Sequence, residues 1–240
     1  MRRIFLPAGC LFSTLILFAA PAQADWRSFV WTYEYKIQER GTAEFEDYFT
    51  LASPEMDRMK GITTVEHQFE LEIGMDDRYD FAIYQVFRQA PGESFEYEGF
   101  KLRNRFILAE KGAFVFDPLL YVEYIGKPDF SEHEIEFKLI AERDIGDLIL
   151  AVNPILSLEK GDEWESDPGY AAGLSYEVTP LLRAGIEFKG SEAGHFIGPV
   201  ISHGQPNLWA ALGAAFGYAD IESGRPEVQI RLLLGVGLVD

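Results

Sequence analysis

Residues 134–142 of this 240-residue chain are EIEFKLIAE, a stretch in which apolar and charged side chains alternate. One set of alternate positions holds three glutamates, a lysine and an isoleucine. The other set holds Ile135, Phe137, Leu139 and Ala141. Because successive side chains of a β-strand point to opposite faces, this pattern predicts a strand with one apolar and one mostly charged face.

The same period of two recurs along the chain, at 65–73 and again at 100–108. Further candidate strands lie at roughly 42–50, 79–88, 113–125, 147–158, 169–178, 181–189, 195–202, 207–217 and 226–238. The fold class predicted from these patterns is all-β: an antiparallel up-and-down transmembrane β-barrel of about 12 strands, covering residues 42–240.

The connections between these candidate strands alternate in predicted length. Long ones lie near 51–61, 89–97, 126–132, 159–168, 190–194 and 218–225. Short ones, rich in Gly, Pro and Asp, lie at 75–78, 110–112, 144–146, 179–180 and 203–206. Bacterial outer-membrane barrels have short periplasmic turns and longer external loops, so this alternation favours a barrel with both termini in the periplasm.

The first 24 residues are typical of a cleaved signal peptide. A basic start at 1–3 precedes an apolar run at 11–20, and Ala22-Gln23-Ala24 fits the small-residue rule for cleavage. Residues 25–41 then form a periplasmic lead-in or an accessory strand, with an inner plug as a third alternative. The predicted location is the bacterial outer membrane, and its lipids are the predicted partners.

Composition excludes several classes of protein. The formal charge is −18, which is unsuited to nucleic-acid binding because that affinity comes from neutralised phosphates. Cys10 is the one cysteine and lies in the signal peptide, and no later stretch is apolar enough for a membrane-spanning helix.

No pattern indicates catalysis, a metal site or a cofactor, so we expect no enzyme activity. Ser202 and His203 are adjacent, and neighbours on one strand point to opposite faces, which prevents a nucleophile–base pair. The four histidines lie on separate segments without metal-ligand spacing.

The charged faces of three predicted strands are candidate lumen linings. The residues are Lys101, Arg103, Arg105, Glu66, Glu70, Glu72, Glu134, Glu136, Lys138 and Glu142. They favour a passive channel or transporter for small solutes, the solute being unknown, with these rows setting charge selectivity. A structural ion-pair network is an equal alternative, because buried charges require partners in any case.

An acidic segment between two strands is a candidate external loop, formed by Glu159, Asp162, Glu163, Glu165 and Asp167. It would be either a solvated loop or a site that contacts lipopolysaccharide through divalent cations, which would make the protein a structural or ligand-binding surface barrel. A soluble periplasmic β-sandwich or lipocalin-like binding protein is the remaining alternative.

Aromatic residues near predicted strand ends are candidate membrane-interface girdles. They are Tyr48, Phe49, Tyr79, Tyr97, Tyr121, Tyr124, Tyr170, Trp209 and Tyr218. An ordinary apolar core is the alternative location for them.

The chain also resembles a family of Gram-negative outer-membrane barrels of the transporter or phenol-degradation (MetA-pathway) type. The matching stretches are 41–46 (GTAEFE), 147–153 (DLILAVN), 185–188 (GIEF), 197–199 (IGP) and 231–235 (RLLLG). The resemblance implies an outer-membrane barrel with a transport role and assigns no substrate.

Overall fold

The computed structural model describes residues 26–161, 163–205 and 207–239, and these form one closed barrel. The strands are β1 Ala43–Ser53, β2 Thr64–Asp76, β3 Tyr79–Gln89, β4 Glu96–Ile107, β5 Asp117–Gly126, β6 His133–Ile145, β7 Leu148–Lys160, β8 Trp164–Thr179, β9 Leu182–Ser191, β10 Gly194–Gln205, β11 Leu208–Ala219 and β12 Val228–Val239. Each strand pairs antiparallel with its neighbours in sequence, and β1 pairs with β12 to close the sheet. The predicted all-β barrel of about twelve strands is confirmed.

Alternation along each strand separates an outer from an inner face. On β6, Leu139 is 45% exposed, whereas Lys138 and Glu142 are buried. Apolar side chains therefore face outward and charged side chains inward, which is the reverse of the arrangement in soluble proteins. Since there is one closed sheet, the two-sheet sandwich alternative is wrong.

The outer face carries a belt of exposed apolar side chains around the barrel. Members from strands on different sides include Phe45, Leu71, Ile83, Leu139, Leu174, Leu212 and Leu234. An exposed apolar surface that continues around a closed sheet is typical of contact with lipid acyl chains. No helix among the described residues is long and apolar enough to span a bilayer.

The connections differ from the predicted lengths at three places. Residues 54–63, 90–95, 127–132 and 220–227 are long and lie at one end of the barrel, which we call the loop end. However, 161–163 and 192–193 at the same end are short, because β7 and β8 stay paired up to Lys160 and Trp164, and β9 and β10 up to Ser191 and Gly194. At the opposite end, the turn end, the connection predicted as the tight turn 110–112 spans 108–116.

The aromatic residues predicted to form girdles divide between the two faces of the barrel. Tyr79 stacks on Phe106 on the outer face with ring centroids 4.8 Å apart, and Tyr218 is 57% exposed. Tyr48, Tyr121 and Trp209 are instead buried on the inner face. Their positions fall in the inward phase of the alternation, which outweighs their aromatic character.

Residues 26–41, which we call the plug segment, contain no strand. Most of its side chains are buried, including Phe29, Val30, Thr32 and Gln38. Trp26 contacts Gly204 and Glu39 contacts Gly74, both at the turn end, while residues between them reach the middle of the barrel. The segment therefore forms no strand and packs against the inner face of the wall. The predicted signal peptide, 1–24, lies outside the described residues.

Candidate lumen site

The middle of the plug segment is held by one wall carboxylate. Glu187, on the inner face of β9, accepts backbone hydrogen bonds from Val30 (3.0 Å), Trp31 (2.9 Å) and Thr32 (2.8 Å). Three consecutive N–H groups thus converge on one buried side chain. Charge-assisted hydrogen bonds of this kind are stronger than neutral ones, so Glu187 fixes the tip of the plug.

Other wall side chains bind the second half of the plug, from Tyr33 to Gln38, in the same way. The side-chain oxygen of Asn153 accepts from the N–H of Tyr33 at 2.6 Å, and its amide donates to the Tyr33 carbonyl at 3.0 Å. Glu142 accepts from Tyr35 N–H at 2.7 Å, and Asp80 accepts from Gln38 N–H. The plug therefore obtains from the wall the hydrogen bonds that a strand would obtain from its neighbours.

Wall glycines provide the space in which plug side chains sit. A Cβ added to Gly173 would overlap the ring of Phe29, and one added to Gly213 would overlap Val30. A Cβ at Gly204 would overlap Trp26. Close packing of this kind leaves no room for larger wall residues, so the inner surface is shaped to the plug.

Arg27 joins the plug to the opposite wall. Its Nη1 donates to the hydroxyl of Tyr48 at 2.7 Å, lies 3.8 Å from a Glu46 carboxylate oxygen, and its guanidinium stands 4.4 Å from the Tyr33 ring centroid. Burial disfavours the charge, but Tyr48, Tyr33 and Glu46 together raise the pKa of Arg27. The plug thus places a permanent cation among the carboxylates of β1 and β2.

A buried ion network, formed by Glu70, Glu72, Asp80, Arg103 and Arg105, links β2, β3 and β4. Arg103 contacts Glu70 at 2.7 Å and Glu72 at 2.6 Å, and Arg105 pairs with Glu72 and Asp80. The arginine side chains are at most 3% exposed. Each charge therefore has a partner, as burial requires.

Two lysines of the predicted rows are paired as well. Lys101 contacts Glu123 at 3.2 Å, and Lys138 contacts Glu136 at 2.7 Å while its ammonium lies 4.3 Å from the Tyr121 ring centroid. Glu66 and Glu134 follow the same alternation nearer the loop end. All of the residues predicted to line the lumen thus occupy inward positions of their strands, and most are paired within the wall or bound to the plug.

Several inner residues of the site were not predicted from the sequence. They are Glu44, Glu46, Asp80, Glu123, Asn153 and Glu187. The signal was present, since each occupies the inward phase of an alternating strand, but the wall acceptors for the backbone N–H groups of the plug belong to β3, β6, β7 and β9. Only the closed register brings those strands around one segment.

The predicted external acidic loop is wrong as a loop. Glu159, Glu165 and Asp167 lie on β7 and β8, where Glu159 pairs with Glu165 and Ser157 with Asp167. The two strands continue past the predicted boundaries because their backbones stay hydrogen-bonded to the short turn at 161–163. Glu163 lies in that turn, and Asp162 lies outside the described residues.

A cavity of about 270 Å³ lies between the plug and the loop end. The plug contributes Trp31, and the surrounding strands contribute both charged and aromatic side chains. The wall side chains that line it include Glu136, Ser157, Asp167, Lys189 and Phe196. The lumen therefore contains an occupied half at the turn end and a partly empty half at the loop end.

Histidine, cysteine and carboxylate side chains of the described residues form no cluster of three suited to a metal ion. Ser202 is buried and His203 is exposed, so the two point to opposite faces of β10.

No protein-family model matches the sequence, and no curated protein matches it. Solved structures with similar folds include an outer-membrane channel from Pseudomonas putida F1, with a TM-score of 0.61, 10% sequence identity, and coverage of 88% of this chain and 100% of that chain. The KdgM porin in complex with disordered oligogalacturonate has a TM-score of 0.55 at 10% identity, covering 83% and 99%. The NanC porin has a TM-score of 0.54 at 7% identity, covering 82% and 98%. The fold is that of outer-membrane barrels.

Proposed function

We propose that this protein is an outer-membrane channel for small solutes whose lumen is closed by the plug segment in the conformation described. The observation that supports this most directly is that the plug segment, which is separate from the wall, fills the space inside it. A wall whose own side chains filled the lumen would leave no passage. Here, removal of residues 26–41 would leave a passage lined with polar groups.

The outer-membrane location is supported by the apolar belt and by the fold shared with outer-membrane barrels. Orientation follows from connection length, with the turn end in the periplasm and the loop end outside. Cell fractionation tests the location: we expect protein in the outer-membrane fraction that migrates differently on gels with and without boiling. Protein released with the soluble periplasm would contradict the proposal.

Geometry argues against the predicted rows as the selectivity element. Arg103 and Arg105 are paired with carboxylates on β2 and β3, and a compensated pair presents little field to a passing ion. We assign these residues to the structural network, and we assign selectivity to the cavity at the loop end. The phenol-degradation type implied by the resemblance stays a prediction.

A reversible lock tests the role of the plug. Because a Cβ at Gly213 would overlap Val30, cysteines at these two positions lie within disulfide reach. We expect the V30C/G213C variant, in a C10S background, to be silent in a planar bilayer when oxidised and to open in steps when reduced. The single variant V30C is the matched control and should not respond to the reductant.

A non-transporting binding barrel is the second candidate, favoured by the many hydrogen bonds that hold the plug. It predicts that heat-modifiable protein shows no conductance in the oxidised or reduced lock, nor after deletion of residues 26–41. Conductance after deletion but not in the reduced lock would identify a barrel with a permanent plug. An enzyme would instead be detected by a lipid-hydrolysis assay.

A further inference from the structure

Two inward-facing cations, Lys189 on β9 and Arg231 on β12, form no salt bridge within the described residues. Lys189 donates to the side-chain oxygen of Gln229 at 2.7 Å, and Arg231 donates through Nε to the hydroxyl of Thr50 at 2.9 Å. Both partners are neutral. The lumen cations nearer the turn end, such as Arg103, are instead in contact with carboxylates, so Lys189 and Arg231 differ from them in hydrogen-bonding to neutral side chains.

Both cations lie close to the ring of Trp31 in the plug. The Lys189 ammonium is 4.8 Å from its ring centroid and the Arg231 guanidinium is 5.7 Å from it. Lys189 is also 5.3 Å from the centroid of Phe196. Aromatic faces stabilise cations but do not neutralise them, so an anion entering the cavity would gain from both charges.

The part of the same cavity formed by β6, β7 and β8 contains hydrogen-bond acceptors. Asp167 and Glu136 line it together with Ser157. The Oδ1 atom of Asp167 is buried and has no hydrogen-bond partner among the described residues. A buried acceptor without a partner is costly, and a ligand hydroxyl would satisfy it.

We infer that this cavity binds a small ring-shaped monocarboxylate that carries hydroxyl groups. Its carboxylate contacts Lys189 in the field of Arg231, its ring packs against Trp31 or Phe196, and a hydroxyl donates to Asp167. Carboxylates on the cavity wall disfavour a second negative charge on the ligand. A volume of about 270 Å³ suffices, since roughly 150 Å³ accommodates benzene.

Equilibrium binding to the full exported chain, purified in detergent micelles, tests this site. Titration calorimetry and tryptophan fluorescence would be recorded with two acids, sodium glucuronate and sodium 4-hydroxybenzoate, and with their neutral counterparts, glucose and 4-hydroxybenzyl alcohol. We expect at least one acid to bind about tenfold or more tightly than its counterpart, as one charge-assisted contact provides. Binding of glucuronate would indicate a site for a saccharide ring, and binding of 4-hydroxybenzoate a site for an aromatic ring.

Matched variants locate the site. Lys189→Gln should weaken binding of that acid by about tenfold, whereas Lys160→Gln, the same change outside the cavity lining, should stay within about twofold. Asp167→Asn should weaken binding, and Trp31→Phe should remove the fluorescence change. Heat-modifiable migration of each variant checks its folding. Equal binding of acid and neutral counterpart, or equal losses in the two lysine variants, would overturn the inference.

This inference rests on the proposed channel by naming its solute class, but binding is measured without conduction. Acid binding by a barrel that stays silent in every lock state would reject the channel and keep the site. Conductance without acid binding would reject the site and keep the channel.

Discussion

At the scale of single residues, the inner wall depends on charges that cannot be removed one at a time. Arg103 is 1% exposed and contacts Glu70, Glu72 and the hydroxyl of Tyr84. A buried ion pair gives little net stability relative to an apolar pair, but loss of one partner leaves the other charge buried alone.

Arg103→Met should therefore lower the free energy of unfolding by about 3–5 kcal/mol. The measurement is guanidinium unfolding of the barrel refolded in micelles. Arg225→Met is the matched control, because Arg225 is exposed and pairs with exposed Glu222; it should cost at most about 1 kcal/mol. The double change E70Q/R103M should recover part of the loss, and equal costs for the two single variants would refute a buried network.

At the scale of elements, the plug is attached mainly through its backbone. Its N–H groups donate to Glu187, Asn153, Glu142 and Asp80. Since the acceptors belong to four different strands, the plug is held at several points and each point can be weakened separately.

Glu187→Gln should loosen the tip of the plug. The amide of glutamine offers one acceptor oxygen and places an NH₂ group against backbone donors. Hydrogen–deuterium exchange of residues 30–32 should accelerate by about tenfold or more, corresponding to loss of roughly 1.5–3 kcal/mol from hydrogen bonds to a charge. Glu177→Gln, which removes a carboxylate paired with Arg183 at the turn end, should leave exchange of residues 30–32 unchanged. No difference between the variants would mean that packing against glycines alone holds the plug.

At the scale of the whole molecule, the barrel is apolar outside and charged inside. A charge placed on the outer belt must therefore enter the acyl region of the bilayer. We expect Leu139→Arg, in the middle of β6, to cost about 2–4 kcal/mol, and Ile145→Arg, at the turn end of the same strand, about 0–1 kcal/mol. Refolding equilibria in lipid vesicles measure both, and equal costs would contradict the assignment of the belt to lipid.

Local alternation was sufficient to predict the strands and their inner faces, because burial in a sheet repeats every two residues. The contact of Glu70 with Arg103 was not predictable, since β3 lies between their strands and no local pattern encodes a register across it. The plug was ambiguous for a different reason. Phe29 to Tyr35 alternates like a strand, yet residues of both phases are buried, because wall surrounds the segment on all sides. The glycines and carboxylates that receive it are distributed over most of the chain.

The attachment of the plug also constrains the order in which the protein assembles. Val30 and its acceptor Glu187 are 157 residues apart, and the glycine that receives Val30 lies still later, on β11. The plug segment is synthesised before every strand, but its binding surface on the wall is incomplete until β11 is in place. Contacts between such distant residues form late in folding, because the intervening chain must be ordered first. Docking of the plug is thus a final step, and a barrel stalled before that step would have an open lumen.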